Sequence, residues 1–239
     1  MTTRAFDIIV SAIALLLFAP VILLAGLCVR LSSKGPAFYE ASRVGKDGHR
    51  FAMYKLRTMH CREVVGSSIT AAHDPRVFFV GRVLRLLKID ELPQFWNILK
   101  GDMAIVGPRP EAVDIVEHYY NFEYQKTLQV RPGLTGPGSV YYYTHGEQIL
   151  SDSNVDAEDL YVTRLLPEKM ALELHHLQHR TALRDLLVIL HTASVLLQKA
   201  VGRRHFPKPA ILQAPLQIIE FPVVPPSTAE HSRAIRHTA

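Results

Sequence analysis

The chain has 239 residues, room for one sizeable domain with its own core or for a domain plus a membrane element. Its 27 Lys and Arg against 22 Asp and Glu leave a net charge of +5. That modest excess suits nucleic acid, anionic headgroups or phosphorylated substrates alike, and the apolar N-terminus favours the last two. The only cysteines are Cys28 and Cys61, and Cys28 sits within the apolar segment, which argues against a structural disulfide and for a reducing compartment.

From Ile8 to Val29 there are 22 residues without a charge. As a straight helix they would reach roughly 33 Å, about one hydrocarbon core. Asp7 precedes the run and no small-residue cleavage site precedes Arg30–Lys34, so it does not read as a signal peptide. The stretch is interrupted at Ala19-Pro20, where proline removes a helical hydrogen bond. Arg4 lies before it, and Arg30, Lys34, Arg43 and Lys46 follow. Both flanks therefore prefer the cytoplasmic side. A helix that enters, bends at Pro20 and returns meets that preference, and on these residues alone a proline-kinked spanning anchor weighs about the same.

Gly35-Pro36 ends the segment. Phe38 to Lys55 is β-rich, with Asp47-Gly48 as a hairpin turn. A polar loop is expected from Cys61 to Asp74. Arg76, Phe79, Arg82, Arg85 and Lys88 then recur every three residues, the pattern of an amphipathic helix with a cationic stripe. Such a stripe is either a solvated face or a row of cations turned toward phosphates. Asp90 is placed to N-cap a helix running to Lys100 and closed by Gly101.

Residues 111–129 read as one helix carrying Glu111, Asp114 and Glu117 on one side, and 131–138 as a rigid Gly-Pro loop. Residues 156–180 and 181–201 read as helices. The second of these has a broad apolar face of Leu183, Leu186, Leu187, Leu190, Leu197 and Val201, suited to a membrane interface. From residue 206 onward the chain is Pro-rich, and disorder or a surface-draped path is expected.

Asp90-Glu91 is the pair on which chemistry can rest. An aspartate at a helix start needs no catalytic role, since it satisfies free amides. The same position, with Arg85 and Lys88 nearby, would keep the carboxylate ionised and able to form an acyl phosphate. Glu91 could hold a divalent cation that neutralises a pyrophosphate. His175 and His179 stand one helical turn apart, but without a third ligand a polar helix face is the stronger reading.

The wider pattern discriminates between these readings. In order, the chain carries Gly35-Pro36, Arg43-Val44-Gly45 with Gly48, Lys55-Leu56-Arg57-Thr58-Met59, Asp74-Pro75-Arg76 and Leu84-Arg85. There follow Asp90 through Gln94, Asn97 through Met103, Val106 through Glu111, and Arg131 through Gly136. Over roughly residues 4–195 it closely resembles the bacterial sugar transferase family, the small monotopic polyprenyl-phosphate phosphoglycosyl transferases. The resemblance implies an α+β, mainly helical, monotopic membrane protein with a re-entrant N-terminal helix and interfacial amphipathic helices. The expected parts are a re-entrant hairpin over 1–33, a catalytic domain over 34–205 and a tail over 206–239.

The implied reaction moves a phospho-sugar from a UDP-sugar to undecaprenyl or another polyprenyl phosphate and releases UMP. It would start surface-glycan assembly on the cytoplasmic face of a bacterial inner membrane. Family analogy makes Asp90 the nucleophile, through a covalent phospho-sugar intermediate, and Glu91 its partner around Mg²⁺ or Mn²⁺. It places Lys55, Arg57, Arg85, Arg109, Pro110, Glu111, Arg131, Gly133, Thr135, Gly136 and Asp185 at the substrate, and Ala19-Pro20 at the membrane break. The implied partners are the UDP-sugar, the polyprenyl phosphate, membrane lipid and downstream glycosyltransferases, with no nucleic acid. The chain departs from the family at Ala41, where glutamine is usual, at Phe78 (threonine), and at Lys88-Ile89 (Ser-Leu). A catalytically silent scaffold and a protein that only binds anionic lipid or nucleic acid are the rival readings. The first is opposed by the intact dyad, and the second is distinguished by whether binding needs the nucleotide sugar.

Overall fold

The computed structural model describes residues 4–61, 69, 74–151 and 155–212. Most of the expected loop between Cys61 and Asp74, and the tail from residue 213, lie outside the described residues. The architecture is α+β and mainly helical, as expected, with two small two-stranded sheets among the described residues.

Helix α1 (Arg4–Ser32) runs without interruption through Pro20. The expected division into two helices at Ala19-Pro20 is therefore not seen, because a proline costs one backbone hydrogen bond and the turns on either side carry the helix across it. Both ends of α1 are tied down. Arg4 donates to the carbonyls of Ile98 and Leu99 at 2.6 and 2.9 Å, and buried Asp7 accepts from the Ile105 amide at 3.3 Å. At the other end Ile22, Ala25 and Val29 share a core with Leu56, Phe78 and Leu84. Between them Leu16 is 82% exposed, and Ile13, Leu17, Leu23 and Leu24 are also bare. The apolar segment thus packs as part of the body that ends at Pro207.

Strands β1 (Phe38–Val44) and β2 (Arg50–Leu56) form the expected antiparallel hairpin, in register from Phe38↔Leu56 to Val44↔Arg50. Its turn uses left-handed backbone at Asp47 and Gly48, φ 56° and 77°. Alternation puts Ala41 and Met53 inward, where they pack with Ile98, Met103, Ile105 and Val106. Arg43 and Lys55 lie on that same face of the hairpin.

The anticipated cationic stripe is broken up. Helix α2 covers only Phe79–Leu86, and Arg82 on it is exposed. Arg76 forks onto Asp74, and Lys88 lies past the helix end in left-handed backbone. Helix α3 (Gln94–Lys100) is closed by Gly101 as expected, but its N-cap is Pro93 rather than Asp90. Strand β3 (Ala104–Val106) pairs in parallel with β4 (Gly133–Thr135), so part of the Gly-Pro segment is strand. Gly133 is required there, since a Cβ would sit 2.1 Å from the Gly107 amide nitrogen.

The single helix expected over 111–129 is two, α4 (Val113–Tyr119) and α5 (Phe122–Gln125), because Asn121 caps the second by accepting from the Tyr124 amide at 2.9 Å. Helix α6 (Pro137–Ile149) follows with Pro137 in its first turn. Helix α7 (Ala157–Leu160) leads through a π-helical turn at Tyr161–Leu165 into α8 (Leu166–Gln178). Helix α9 (Ala182–Ala200) is capped by Thr181, and its leucine face is bare, Leu183 and Leu197 being 65% and 70% exposed. Separately, Ala210–Leu212 forms a single 3₁₀ turn.

Candidate active site

The 3₁₀ turn Ile89–Glu91 buries both dyad carboxylates, Asp90 at 6% and Glu91 at 8% exposure. Lys88 opens this turn with φ 57°, a conformation that costs a non-glycine residue free energy. One oxygen of Glu91, Oε1, accepts from Lys88 Nζ at 3.0 Å and from Arg109 Nη2 at 2.9 Å. Burial alone would raise the Glu91 carboxyl. Arg109, then Lys88 and Lys55, outweigh it and hold Glu91 well below the usual carboxylate range.

Asp90 has the opposite environment. Its Oδ1 is buried with no hydrogen-bond partner. Burial, then the neighbouring Glu91 charge, push its carboxyl above the ordinary value, against the pull of Lys88, Lys55 and Arg85. The cations expected to hold it ionised are present, but burial and the Glu91 charge outweigh them and move the carboxyl upward from its ordinary value. Asp90 lies inside a single 3₁₀ turn, and Glu91 has taken the ion pairs.

Lys55 of β2 makes no ion pair among the described residues. Burial first, then Arg109, bring its ammonium down to about 7, while Glu91 and Asp90 pull the other way. Arg85 of α2 donates through Nε to Thr58 Oγ1 at 2.8 Å. The Arg109 guanidinium lies 5.8 Å from the centre of the Tyr142 ring. Asp90, Glu91, Lys55, Arg85 and Arg109 are therefore drawn together, with buried Pro110 behind Arg109.

Other expected substrate residues also make contacts within the fold. Arg57 gives its donors to Pro36 O, Ser33 Oγ and O, and Met59 O, tying the end of α1 to β2. Glu111 faces inward rather than lining a helix surface; it pairs with Lys169 and accepts from the Tyr161 hydroxyl at 2.7 Å. Arg131 is exposed, and its charge lies near Asp7. Thr135 shares a 2.7 Å hydrogen bond with Thr192, and a Cβ on Gly136 would meet the Gly107 carbonyl, so these glycines fit backbone to backbone. Asp185, expected at the substrate, lies in the interior of the fold. It is fully buried and accepts from His176 Nε2 at 3.0 Å and Arg180 Nε at 3.1 Å. Arg180 continues to the Val106 carbonyl at 2.7 Å, so Asp185 joins α9 to β3.

The sequence reading missed the buried layer behind Arg109. Lys169 bonds Glu111 and the Tyr161 hydroxyl, and stands 5.4 Å from the Tyr142 ring. Glu173 accepts from the Gly138 amide at 3.0 Å, and a Cβ on Gly138 would crowd that oxygen at 2.6 Å. Its second oxygen is buried without a partner, and burial pushes its carboxyl up to about 8. A signal existed, because Leu166, Lys169, Met170, Glu173 and His176 fall at helical spacing on one buried face.

The orphaned Asp90 oxygen fits a divalent cation. Among the described residues no three His, Cys, Asp or Glu side chains cluster to form a cage, so substrate phosphates would complete the coordination, as Mg²⁺ commonly prefers. His175 and His179 form only a tilted ring pair, centroids 4.4 Å apart.

Residues 1–199 match the family model described as bacterial sugar transferase. The chain belongs to the bacterial sugar transferase family. As a member of that family it is a transferase. A UDP-glucose:undecaprenyl-phosphate glucose-1-phosphate transferase of Caulobacter vibrioides is 40% identical over 199 residues, covering 81% of this chain and 69% of the relative. A UDP-N-acetylgalactosamine-undecaprenyl-phosphate N-acetylgalactosaminephosphotransferase of Aeromonas hydrophila is 36% identical over 199 residues, 81% of this chain and 43% of that one. The Escherichia coli K12 UDP-glucose:undecaprenyl-phosphate glucose-1-phosphate transferase is 44% identical over 137 residues, 56% of this chain and 29% of its own length. The matches thus span less than half of the last two relatives.

Proposed function

We propose that this sugar transferase moves a phospho-sugar from a UDP-sugar to a membrane polyprenyl phosphate, through a covalent intermediate on Asp90. The observation that carries the reading is the buried Asp90 oxygen with no partner, set beside a Glu91 already paired with Lys88 and Arg109. A Glu91 locked to two cations is a poor nucleophile, and an Asp90 oxygen without a competing donor is a good one. Asp90 attacks the sugar-bearing phosphorus; the new P–O bond forms as the bridging P–O bond breaks, and UMP leaves with the electron pair. An oxygen of the polyprenyl phosphate then attacks the same phosphorus and expels the Asp90 carboxylate. Lys55 and Arg109 offset the charge on the transferring group.

A magnesium ion would be held by Asp90, with Glu91 beside it, and would neutralise pyrophosphate charge. The re-entrant, cytoplasmic-face reading of α1, with Pro20 as a bend within one continuous helix rather than a break between two, is supported by its two docked ends. A spanning helix would put Arg4 and Asp7 across the bilayer from Val29, yet all three contact the same body. The test is UMP release by detergent-solubilised protein given undecaprenyl phosphate, Mg²⁺ and a panel of UDP-sugars. Release that depends on the lipid and on one donor supports the reading. No release with any donor, from folded protein, refutes it.

A further inference from the structure

Arg43 of β1 has a side chain with no hydrogen bond or ion pair among the described residues. Its Nε is buried without a hydrogen-bond partner, and the guanidinium makes no ion pair or ring contact among the described residues. It sits on the same face of the hairpin as Lys55, two residues beyond Ala41, and Lys55 is likewise without an ion pair. Between them Ala41 and Met53 offer no hydrogen-bonding side-chain group.

The Arg109–Glu111 segment lies against both cations. Arg109 and Arg43 both act on Lys55, and Arg43 also acts on Glu111. The nearby acids are already taken, Glu111 by Lys169 and Tyr161, and Glu91 by Lys88 and Arg109. Neither cation has an acid of its own at ion-pair distance among the described residues, so an arriving anion would meet donors that are still unused. The two stand four residues apart along that face with Ala41 and Met53 between them, and a guanidinium fork matches a phosphate in geometry as well as charge.

We infer that Arg43 and Lys55 form a phosphate-binding subsite next to the Asp90 centre, with Arg43 a substrate-binding residue that holds a phosphate other than the one attacked. Resting on the transferase reading above, the two available sources are the nucleotide phosphate that leaves with UMP and the phosphate of the polyprenyl acceptor. Of the two, the leaving nucleotide phosphate is the source tested first.

The experiment compares wild-type full-length protein with Arg43→Gln and Arg43→Lys. UMP binding is measured by calorimetry, and KM for UDP-sugar and polyprenyl phosphate is measured separately. Arg43→Gln is expected to weaken UMP binding and raise the UDP-sugar KM by about 10- to 100-fold, with kcat far less affected, and Arg43→Lys to recover part of the loss. A rise confined to the polyprenyl phosphate KM keeps the subsite and assigns it to the acceptor. Changes under about twofold in every arm overturn it. If Arg43→Gln lacks a cooperative melt, Arg43→Lys carries the test, and unchanged binding by that variant overturns the subsite. Wild-type protein that binds UMP in an Arg43-dependent way yet transfers nothing refutes the reaction while leaving the subsite standing.

Discussion

Asp90 and Asp185 are both buried aspartates at positions matched to the family, and their surroundings could hardly differ more. Asp185 has His176 and Arg180 on its oxygens, and Arg180 reaches on to β3. Asp90 has an oxygen that meets no donor among the described residues. A folded protein tolerates an unsatisfied buried carboxylate only at a cost, so such a group is a candidate for work that a satisfied one cannot do. Burial and residue type do not separate the two acids, whereas their hydrogen-bond partners do.

The sharpest way to break that contrast is Asp90→Asn. Turnover should fall at least about a thousandfold. The melting temperature should hold or rise, because an amide replaces a buried carboxylate that lacked a partner. UMP release and a thermal melt check both halves, and a large loss of stability would make Asp90 a structural acid like Asp185. The reciprocal change, Asp185→Ala, strands His176 and Arg180 and should cost about 3 kcal/mol in denaturant unfolding, with turnover per folded molecule kept within a few-fold.

Glu173 lies between these extremes, with one oxygen on the Gly138 amide and the other unpartnered. Its carboxyl is raised from 4.5 to about 8, so the native state holds a proton that the unfolded chain releases. That contribution is fully present below pH 4.5 and is lost as pH rises through about 8. Melting temperature followed against pH should therefore decline in wild type across this window and run flatter in Glu173→Gln. Identical profiles would mean the carboxyl is not protonated in the fold. The smallest effect is expected at the exposed pair Lys126–Glu123, where Lys126→Ala should change stability by less than about 0.5 kcal/mol in the same unfolding measurement.

What the sequence made legible was local. Asp47-Gly48 announces the hairpin because only a few residue types accept its left-handed turn, and the closing Gly101 marks the end of α3 for the same reason. The dyad and its cations were legible through their order along the chain. Helix α6 was not, since its Gly-Pro opening reads as loop and its three tyrosines give no apolar period. Strand β4 is three residues that exist only by pairing with β3, twenty-nine residues earlier in the register Ala104↔Gly133. Lys169 looks like a solvated helix charge, and its partner Glu111 is 58 residues away. The unpartnered atoms of Asp90 and Arg43 are tertiary facts as well, because only the assembled fold decides which donors go unused.

The most direct measurement is the intact mass of the detergent-solubilised protein after incubation with the UDP-sugar it turns over, without polyprenyl phosphate. Wild type should gain one phospho-sugar, chased off by adding the lipid, and Asp90→Asn should gain none. Lipid-dependent UMP release with no adduct, or an adduct that persists in Asp90→Asn, would contradict Asp90 as the nucleophile.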